Sequence, residues 1–515
     1  MITKSAPVAN ADSRLDWSLL RASRWPLILF IAALILTYGY EVFSFNLTID
    51  EEVVGEMRNV AYAQMWQSQG RWAMALLTLA VPTGVVPVVS TGLGVALSGA
   101  AWWLFCRKHL NLGPWASAVG ASLAGTVPVL AFIFAFSTIS FGIGVGNLLL
   151  VVYMWGLTST SWRHRVIAVF AAASALGIYD TFLFAAALLS LAYIYKRASV
   201  SSIVLGVIAP ALAFVLSKLL ALGLGVVLGP PQNTYVNRYL DIGGLFDHPA
   251  SHFRAAARNF GETLWLSTGK FGLHSPWLAV VVIILLPLAV FGIWHLGGSK
   301  FTKIIRLVTL FLVFFVPFSA ELVSNGPVLL RSIIYLPMMI LVLVAFAAVG
   351  VSGIPQILWK KVVITLVASL VLLAVVGQAT ISNRMFAAAA TMYSADQNLA
   401  FVIGQEKDRL ADGAQWTSLP LAVSGEHAWP QGVLTPTREQ LGSSFFKWDG
   451  GSPGRISAFL RSQGVEAHAA NATETHKAWA WLAEMPKYPQ PGWIDVRDGI
   501  LLLNFGPKTS SQQAW

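Results

Sequence analysis

Charged side chains are scarce in this sequence. Aspartate, glutamate, lysine and arginine make up 11% of its 515 residues, and 56% of the residues are hydrophobic. An ordinary soluble domain has about a quarter charged residues. The scarcity excludes a disordered chain, a coiled coil and a soluble globular enzyme, and it indicates a polytopic membrane protein. The net charge of +10 would suggest a nucleic-acid partner only if the basic residues formed one face. They do not, so no nucleic acid is expected.

Cysteine is almost absent, because Cys106 is the only one. This excludes an intramolecular disulfide framework and any multi-cysteine metal site. The sequence also lacks the G-x-x-x-x-G-K-[S/T] motif of nucleotide-binding loops, the HExxH zinc motif and any Asp-x-Asp pair. Its predicted cytoplasmic loops are too short for a nucleotide-sugar domain. A cytosolic nucleotide is therefore not expected as energy source or as sugar donor.

Long apolar runs are abundant instead. A helix needs about 20 apolar residues to cross the hydrocarbon core. The sequence predicts eleven such helices, of which the fifth, sixth and ninth are short, and the first is expected to remain as a signal anchor. They cover residues 26–47, 88–106, 113–136, 139–158, 165–180, 181–195, 203–228, 277–296, 307–321, 331–350 and 362–382.

Lysine and arginine are concentrated in every second loop between the predicted helices. Short cytoplasmic loops are rich in lysine and arginine, so the bias predicts that the N-terminus is inside and the C-terminus outside. The predicted cytoplasmic side holds Lys4, Arg14, Arg21, Arg24, Arg107, Lys108, Arg163, Arg165, Lys196, Arg197, Lys300, Lys303, Arg306, Lys360 and Lys361. The opposite short segments hold Arg58, Arg71, Arg238, Arg254, Arg258, Lys270 and Arg331. Most acids of the membrane part fall on the outer side.

Two outer segments, 48–87 and 229–276, are long. Pro82, Gly84 and Pro87 interrupt the first, which predicts interfacial helices rather than a twelfth span. The second contains an amphipathic pattern from Ser251 to about Leu266. We therefore expect a transmembrane domain at residues 1–382 with both segments on its outer face.

The composition changes near residue 383, after which no spanning segment occurs. Residues 383–515 predict a small periplasmic α+β domain, large enough for its own core. The patterns at Gly454–Gly464 and Thr473–Glu484 predict helices. Those at Trp493–Val496 and Ile500–Asn504, joined by a short turn, predict a hairpin.

Three adjacent acids, Asp50, Glu51 and Glu52, follow the first helix on the outer side. Like charges near a low-dielectric interface raise at least one pKa. A carboxylate there can act as general base toward a hydroxyl, or help to hold a divalent cation. Asp50 is the first candidate for the catalytic base, Glu51 the second, and Glu52 a substrate-binding residue. The alternative is a solvated helix start in which Asp50 caps the helix and the glutamates complement its dipole.

Two outer arginines are placed to bind phosphate. Arg71 lies in Gln69-Gly70-Arg71-Trp72, where the first outer segment returns to the membrane, and Arg331 begins the tenth helix. A guanidinium at that depth can grip a phosphate through two donors. The alternative is an interfacial arginine that extends to water.

Asp180 lies between two short apolar runs. An acid at membrane depth is a candidate functional residue, here for substrate binding, although a plain loop aspartate fits equally. Lys218, alone in the seventh helix, could pair with an acid. Asp247, His248 and His252 could suggest a metal, but Pro249 favours His248 as a helix cap. No metal ligand set and no certain cofactor are predicted.

Three motifs together carry a family resemblance: Asp50-Glu51-Glu52, Gln69-Gly70-Arg71-Trp72 and Gly177-Ile178-Tyr179-Asp180-Thr181-Phe182. Over about residues 30–200 the sequence resembles the type II glucosyltransferases of bacterial O-antigen modification, membrane enzymes of the GT-C superfamily. The chain departs from the family pattern at Asp180, where a glutamine-like residue is more usual.

The resemblance implies a polytopic α-helical GT-C-like enzyme of the bacterial inner membrane, with its active site facing the periplasm. It implies a polyprenyl-phosphate sugar donor, usually glucose, and transfer to a lipopolysaccharide O-antigen or similar surface glycan. It also implies an essential acid in the first outer loop, which matches Asp50 or Glu51. Inversion at the anomeric carbon is likewise inferred from the family.

Two other functions stay open from the sequence alone. A secondary transporter would have broken helices in two related halves and an ion site near the midplane. The halves of this sequence show no obvious similarity, and its acids gather on the outer side. An O-antigen polymerase or ligase would act at the same place with a diphosphate-linked donor.

Overall fold

The computed structural model describes residues 24–44, 46–55, 57, 59–81, 87–232, 241–324, 328–410, 418–429 and 443–513. Each of the eleven predicted apolar runs forms a helix, or two helices in the third. As far as residue 197 the helices are α1 (Arg24–Phe43), α2 (Glu51–Val54), α3 (Asn59–Ser68), α4 (Trp72–Ala80), α5 (Pro87–Leu104), α6 (Pro114–Gly125), α7 (Val129–Phe134), α8 (Ser137–Thr158), α9 (Trp162–Ile178) and α10 (Phe182–Arg197). Further along are α11 (Val200–Leu228), α12 (Ile242–Asp247), α13 (Pro249–Leu264), α14 (Thr268–Phe271), α15 (Trp277–His295), α16 (Lys300–Leu322), α17 (Leu336–Ser352) and α18 (Ile357–Leu410).

Seven helices in the described part of the chain are long and apolar enough to cross a membrane. They are α1, α5 with the π-helical turn that follows it, α8, α11, α15, α16 and α18. Helix α17 is apolar but shorter. The seven candidate spans agree with the predicted polytopic helical membrane protein, while the count of eleven spans and the orientation stay predictions.

Small residues allow two pairs of helices to pack closely. Gly94 of α5 faces Ser140 of α8, where an added Cβ would overlap the Ser140 carbonyl oxygen. Gly350 of α17 faces Leu288 of α15 in the same way. No side chain fits at either position, so these backbones can touch only through glycine, as is common between membrane helices.

Basic residues meet at one end of the bundle. Lys196 donates to the carbonyl of His109, and Nη2 of Arg197 lies 3.3 Å from the carbonyl oxygen of Thr158. Nε of Arg306 donates to the carbonyl of Tyr195 at 3.3 Å. Other residues of the orientation argument lie outside the described residues, namely Lys4, Arg14, Arg21, Arg58 and Arg238. This basic cluster lies at the end of the bundle opposite the outer segments.

The outer segments form short helices at the other end. Helices α2, α3 and α4 occupy the described part of 48–87, and none of them has spanning length. In 229–276 the predicted amphipathic helix is α13, which begins two residues earlier than expected because Pro249 occupies its first turn. Helix α13 packs on α16 through Phe253 and Phe318, whose ring centroids are 5.1 Å apart.

The last predicted helix, 362–382, is much longer than expected, because α18 continues to Leu410. The buried residues beyond position 382 recur every three or four positions, for example Met385, Ala389, Met392 and Asp396. One face is therefore buried while the other is polar, and this change ends the apolar run without ending the helix. The domain boundary near residue 383 stays a prediction, since the helix passes through it unbroken.

A small mixed sheet follows α18. The strands are β1 (Leu419–Ser424), β2 (Ala467–Ala469), β3 (Ile494–Arg497) and β4 (Ile500–Asn504), in the order β2-β1-β4-β3. Strand β1 is parallel to β2 and β4, and β3 pairs antiparallel with β4. The predicted hairpin is confirmed. Its turn residues Asp498 and Gly499 both have positive φ, 47° and 75°, as a type I′ turn requires.

The two predicted helices of this region are also present, as α19 (Pro453–Ser462) and α20 (Ala472–Glu484), and α21 (Ser510–Gln513) follows β4. Asn471 caps α20 through a reciprocal capping box with Glu474. Phe446, Phe459 and Leu503 are buried in one cluster with part of α18. We call the described residues 418–429 and 443–513 the C-terminal unit.

Candidate functional site

Three segments that are far apart in the sequence line one cavity. It lies at the end of the bundle opposite the basic cluster, with a volume of about 190 Å³. Three predicted site residues line it: Asp50 beside α2, Arg71 before α4, and Arg331 before α17. The remaining lining residues are Val54, Met65, Trp66, Gln69, Ile133, Phe136, Thr138, Ile139 and Tyr179.

Asp50 has an unusual backbone. Its φ is 76° and its ψ is −23°, in the left-handed region that side chains other than glycine rarely adopt, although aspartate tolerates it better than most. Asp50 precedes α2, but its side chain makes no capping hydrogen bond to that helix. The carboxylate is therefore not a helix cap. Its side chain is 52% exposed at the cavity, where a substrate can reach it.

Glu51 is buried, and its carboxylate is fully engaged. Oε2 accepts a hydrogen bond from the Thr48 N–H at 2.8 Å, and Oε1 accepts from the N–H and the hydroxyl of Ser137, at 2.6 and 2.5 Å. Burial raises the pKa of Glu51 to about 7, although these hydrogen bonds lower it. The side chain ties the acidic loop to the start of α8, and a substrate cannot approach it.

Glu52 is paired with a residue of the C-terminal unit. Its Oε1 lies 2.7 Å from Nη1 of Arg455, and its side chain is wholly buried. Burial raises the pKa of Glu52 to about 7, and the Arg455 guanidinium opposes that rise. Arg455 also bonds Asp50, at 2.9 Å, and Asp449. Glu52 thus lies behind Asp50 and is not part of the cavity wall.

Arg71 is held between two aromatic rings. Gly70, with φ of 77°, makes the turn that places it, and Arg71 N–H donates to the Trp66 carbonyl at 3.0 Å. Its Cζ lies 4.6 Å from the centroid of the Tyr179 ring and 5.2 Å from that of Trp66. Each such contact contributes about 1 kcal/mol. The rings fix the guanidinium at the cavity wall.

The neighbouring Trp72 anchors this turn. Its Nε1 donates to the hydroxyl of Ser217 on α11 at 3.1 Å. An added Cβ at Gly177 would overlap that nitrogen, so only glycine lets the indole lie against α9. Position 177 can therefore carry only glycine while Trp72 keeps this place.

Arg331 comes from a separate element. It lies in the 3₁₀ turn Leu330–Ser332, and its Cζ is 5.6 Å from the ring centroid of Phe136. The adjacent Ser332 hydroxyl lies 3.2 Å from the Tyr179 hydroxyl. Tyr179 therefore links the element that carries Arg331 to the ring clamp on Arg71.

Asp180 lines a second cavity, of about 180 Å³, that shares Gln69, Arg71 and Tyr179 with the first. Oδ1 of Asp180 lies 2.8 Å from Nζ of Lys218, which identifies the partner of the lysine in α11. Both side chains are partly exposed. The rest of this cavity is largely apolar and is formed by Thr181, Phe184, Ala320, Val323, Ser324, Val328, Leu329, Ser332 and Tyr335.

Sequence reasoning missed Arg455. It stands 405 positions from Asp50, in an amphipathic helix that carries no motif of its own. Nothing local distinguishes it from an ordinary surface arginine. The aromatic clamp on Arg71 was also missed, although Tyr179 lies within a motif that was singled out.

A resident metal ion does not fit the acidic cluster. The Arg455 guanidinium already fills the space between Asp50, Glu52 and Asp449. Within the described ranges, no three His, Cys, Asp or Glu side chains converge on a metal position. The carboxylates of this cluster are therefore held together by an arginine.

The family model described as glucosyl transferase GtrII matches residues 39–229, a little over a third of the chain. The matched segment runs from α1 to the end of α11 and includes Asp50, Arg71 and Asp180, but neither Arg331 nor the C-terminal unit. A comparison with curated proteins finds no match. The family suggests action on surface glycans, with a sugar donor and a glycan acceptor. Residues 39–229 are therefore similar to the type II glucosyltransferases, as the sequence motifs predicted, and this similarity supports a glycosyltransferase.

Proposed function

We propose that the chain transfers a sugar, glucose in the first instance, from a polyprenyl-phosphate carrier to a lipopolysaccharide O-antigen or similar surface glycan. The reaction takes place in the bacterial inner membrane, at the periplasmic face. In this proposal residues 1–382 form the transmembrane catalytic domain and residues 383–515 a periplasmic domain. The N-terminus is cytoplasmic, in keeping with the basic cluster at the other end of the bundle.

The observation that carries the proposal is the cavity shared by Asp50, Arg71 and Arg331. One carboxylate and two guanidinium groups reach it from three separate elements. Transfer from a sugar phosphate needs these two kinds of group, namely a base for the acceptor hydroxyl and cations for the phosphate. A purely structural ion pair would not require a ligand-sized space between them.

The chemistry follows from the roles of these groups. Asp50 takes the proton of the acceptor hydroxyl while the hydroxyl oxygen forms a bond to the anomeric carbon. The bond between that carbon and the phosphate oxygen breaks, and its electron pair stays with the phosphate. Arg71 and Arg331 stabilise the negative charge that the phosphate gains. A single displacement of this kind inverts the anomeric centre.

Exposure and burial support Asp50, rather than Glu51, as the base. Asp50 is half exposed at the cavity, whereas Glu51 is buried and already accepts three hydrogen bonds. In the proposal Glu51 positions the loop. Glu52 contributes to binding only indirectly, through Arg455, which bonds both Glu52 and Asp50.

The second cavity suits the donor. It adjoins the first at Arg71 and Tyr179, and most of its lining is apolar. A donor with a sugar phosphate at one end and an isoprenoid chain at the other needs such a change from polar to apolar lining. Asp180, at the polar side, is placed to accept hydrogen bonds from sugar hydroxyls.

The direct test is transfer by the purified chain in proteoliposomes. The vesicles contain polyprenyl-phosphate glucose, and a lipopolysaccharide acceptor is added. Mass spectrometry of the acceptor should show one added hexose per transfer event. The same measurement on surface glycan from cells with and without the gene identifies the natural sugar and acceptor.

Two matched arms separate the alternatives. A diphosphate-linked donor replaces the monophosphate donor in one arm, and transfer from the diphosphate alone would favour a polymerase or ligase. Labelled solute is supplied to the same vesicles in the other arm, and uptake without transfer would favour a transporter. No hexose addition with any monophosphate donor would contradict the proposal.

A further inference from the structure

A single guanidinium connects the C-terminal unit to the acidic loop. Arg455 of α19 donates from Nη2 to Oδ1 of Asp50 at 2.9 Å and from Nη1 to Oε1 of Glu52 at 2.7 Å. Its Nε donates to Asp449, six positions earlier in the same unit. The Arg455 side chain is 22% exposed and that of Glu52 is wholly buried, so the bond between these two residues is shielded from water. Charge-assisted bonds of this kind are strong and directional.

The acidic loop is held from two sides. Ser137 binds Glu51 from the side of α8, and Arg455 binds Asp50 and Glu52 from the side of the C-terminal unit. Leu47, just before the loop, packs against the core of that unit. Helix α2 is therefore fixed between the transmembrane bundle and the C-terminal unit.

The side chain of Asp50 has little local support. It makes no capping bond to its own helix, and its backbone has a left-handed conformation that costs about 1–3 kcal/mol unless the surroundings impose it. The bond to Arg455 supplies such a restraint on the carboxylate. It engages Oδ1, and the carboxylate has a second oxygen with which to accept a proton.

Arg455 stays charged in this cluster. Burial disfavours the charged form of Arg455, but Asp50, Asp449 and Glu52 outweigh that effect, so the pKa of Arg455 is raised above its ordinary value. One permanent cation is shared among three carboxylates. It therefore orients Asp50 while it also bonds Glu52 and Asp449.

We propose that Arg455 is a positioning residue for the base, and that the C-terminal unit thereby completes the active site. The inference rests on the proposed function, because it assigns Asp50 the role of base. Arg455 does not touch the reacting atoms. It holds the Asp50 carboxylate at the wall of the cavity, where the acceptor hydroxyl must arrive.

The test compares Arg455→Ala, Arg455→Lys and the control Arg497→Ala in the proteoliposome assay. Arg497 is an arginine of the same unit whose partner, Asp495, lies two positions away on the same strand. Arg455→Ala should lower kcat on the order of 10- to 100-fold, the cost of a misplaced catalytic group, with donor KM within about twofold. Arg455→Lys should recover part of kcat, and Arg497→Ala should match the wild type.

The pH dependence of kcat/KM distinguishes a positioning role of Arg455 from a merely structural one. Among the described residues, the charged or titratable groups around Asp50 are Arg455 of α19 with its partner Asp449, Glu52 of α2, Tyr62 of α3, and Arg71, Tyr179 and Arg331 in the cavity wall. Without Arg455 the Asp50 and Glu52 charges repel each other, so the acid limb of kcat/KM should move to higher pH. Adding Glu52→Gln to Arg455→Ala should move it back.

Folding is measured for every variant by thermal unfolding in detergent. If Arg455→Ala does not fold, Arg455→Lys and Asp449→Asn replace it in the assay. Both variants should lower kcat and leave donor KM unchanged. Unchanged kcat and an unmoved acid limb in folded variants would overturn the positioning role alone. A wild type that transfers no sugar would overturn the proposed function, and the positioning role with it.

Discussion

The carboxylate of Glu51 accepts two hydrogen bonds from Ser137, one from its N–H at 2.6 Å and one from its hydroxyl at 2.5 Å. The two residues lie 86 positions apart, and their contact joins the acidic loop to the start of α8. Buried carboxylates are normally paired with a cation or satisfied by donors, and here donors alone satisfy Glu51. The same burial makes its charge sensitive to pH.

Glu51 should therefore make stability depend on pH. Its pKa is raised by burial from 4.5 to about 7, so the folded state favours the protonated form. Protonated Glu51 therefore stabilises the folded chain. This contribution to the free energy of unfolding is fully present below about pH 4.5 and is lost as pH rises through 7, and for this pKa shift it amounts to about 3 kcal/mol. Thermal unfolding in detergent between pH 5 and 8 should show the midpoint falling as pH rises.

Glu51→Gln should remove the part of this dependence that belongs to Glu51, while Glu52 keeps its own. The matched control is Glu484→Gln, which changes an exposed glutamate of the C-terminal unit. Equal slopes of midpoint against pH in the wild type and in Glu51→Gln would show that Glu51 is ionised throughout this range.

Asp50→Asn should abolish transfer without unfolding the chain. Asparagine tolerates the left-handed backbone of this position as well as aspartate does, so the loop keeps its shape. The amide cannot accept the hydroxyl proton, and losing a general base lowers kcat by about 10²- to 10⁴-fold. Hexose addition to the acceptor, measured by mass spectrometry, gives the rate.

The control for Asp50 is Asp498→Asn, in the hairpin turn, where the aspartate pairs with Lys477 at 2.5 Å. It should retain the wild-type rate. Transfer by Asp50→Asn at the wild-type rate, with normal unfolding behaviour, would remove Asp50 from the base role.

Much of the fold follows from periodicity and composition. The apolar runs predicted where the helices lie because membrane helices must be apolar on nearly every face. The same criterion predicted that the last helix ends at residue 382, whereas α18 continues to Leu410. The residues beyond 382 form an amphipathic helix, and in a sequence such a stretch resembles the start of a soluble region. The hairpin at Asp498 and Gly499 was predictable because its turn chemistry is local.

The site was predictable only where its residues lie in motifs or at membrane depth. Asp50, Arg71 and Asp180 stand out because charge is scarce near a bilayer and each accompanies a local pattern. Arg455 stands out in neither way, and its proposed role depends on a contact that only the folded chain brings about. Sequence reasoning also offered Asp50 as a helix cap; Asp50 does occupy the N-cap position of α2, but its side chain makes no capping hydrogen bond.

Arg331→Ala should weaken donor binding more than acceptor binding. Arg331 and Arg71 line one cavity, and a guanidinium binds phosphate through paired charge-assisted bonds of about 1.5–3 kcal/mol. Donor KM should therefore rise on the order of 10-fold or more, while acceptor KM stays within about twofold. Arg331→Lys should recover only part of the affinity, because an ammonium lacks the planar pair of donors.

Donor affinity can be measured directly by tryptophan quenching with polyprenyl phosphate that carries no sugar. An Arg331→Ala protein that binds this probe as the wild type does, and shows a raised acceptor KM instead, would assign Arg331 to the acceptor side. Arg254→Ala serves as control, since Arg254 lies exposed on α13.

Asp180 and Lys218 should have separable effects although they form one ion pair. The pair is partly exposed, with 35% and 44% of the two side chains accessible, so breaking it should change unfolding by no more than about 1 kcal/mol. Asp180 lines the second cavity, and Lys218 is not among the residues that form its wall. If Asp180 accepts bonds from sugar hydroxyls, Asp180→Ala raises donor KM at least several-fold, whereas Lys218→Gln leaves it within about twofold.

The sugar itself supplies the discriminating measurement for Asp180. Binding of polyprenyl phosphate without a sugar should be the same in Asp180→Ala and in the wild type, because Arg71 and Arg331 remain to hold the phosphate. Binding of the glucosylated donor should weaken in the variant alone. Equal losses for both ligands, or equal losses in Asp180→Ala and Lys218→Gln, would mean that the pair shapes the cavity as a unit and that Asp180 does not contact the sugar.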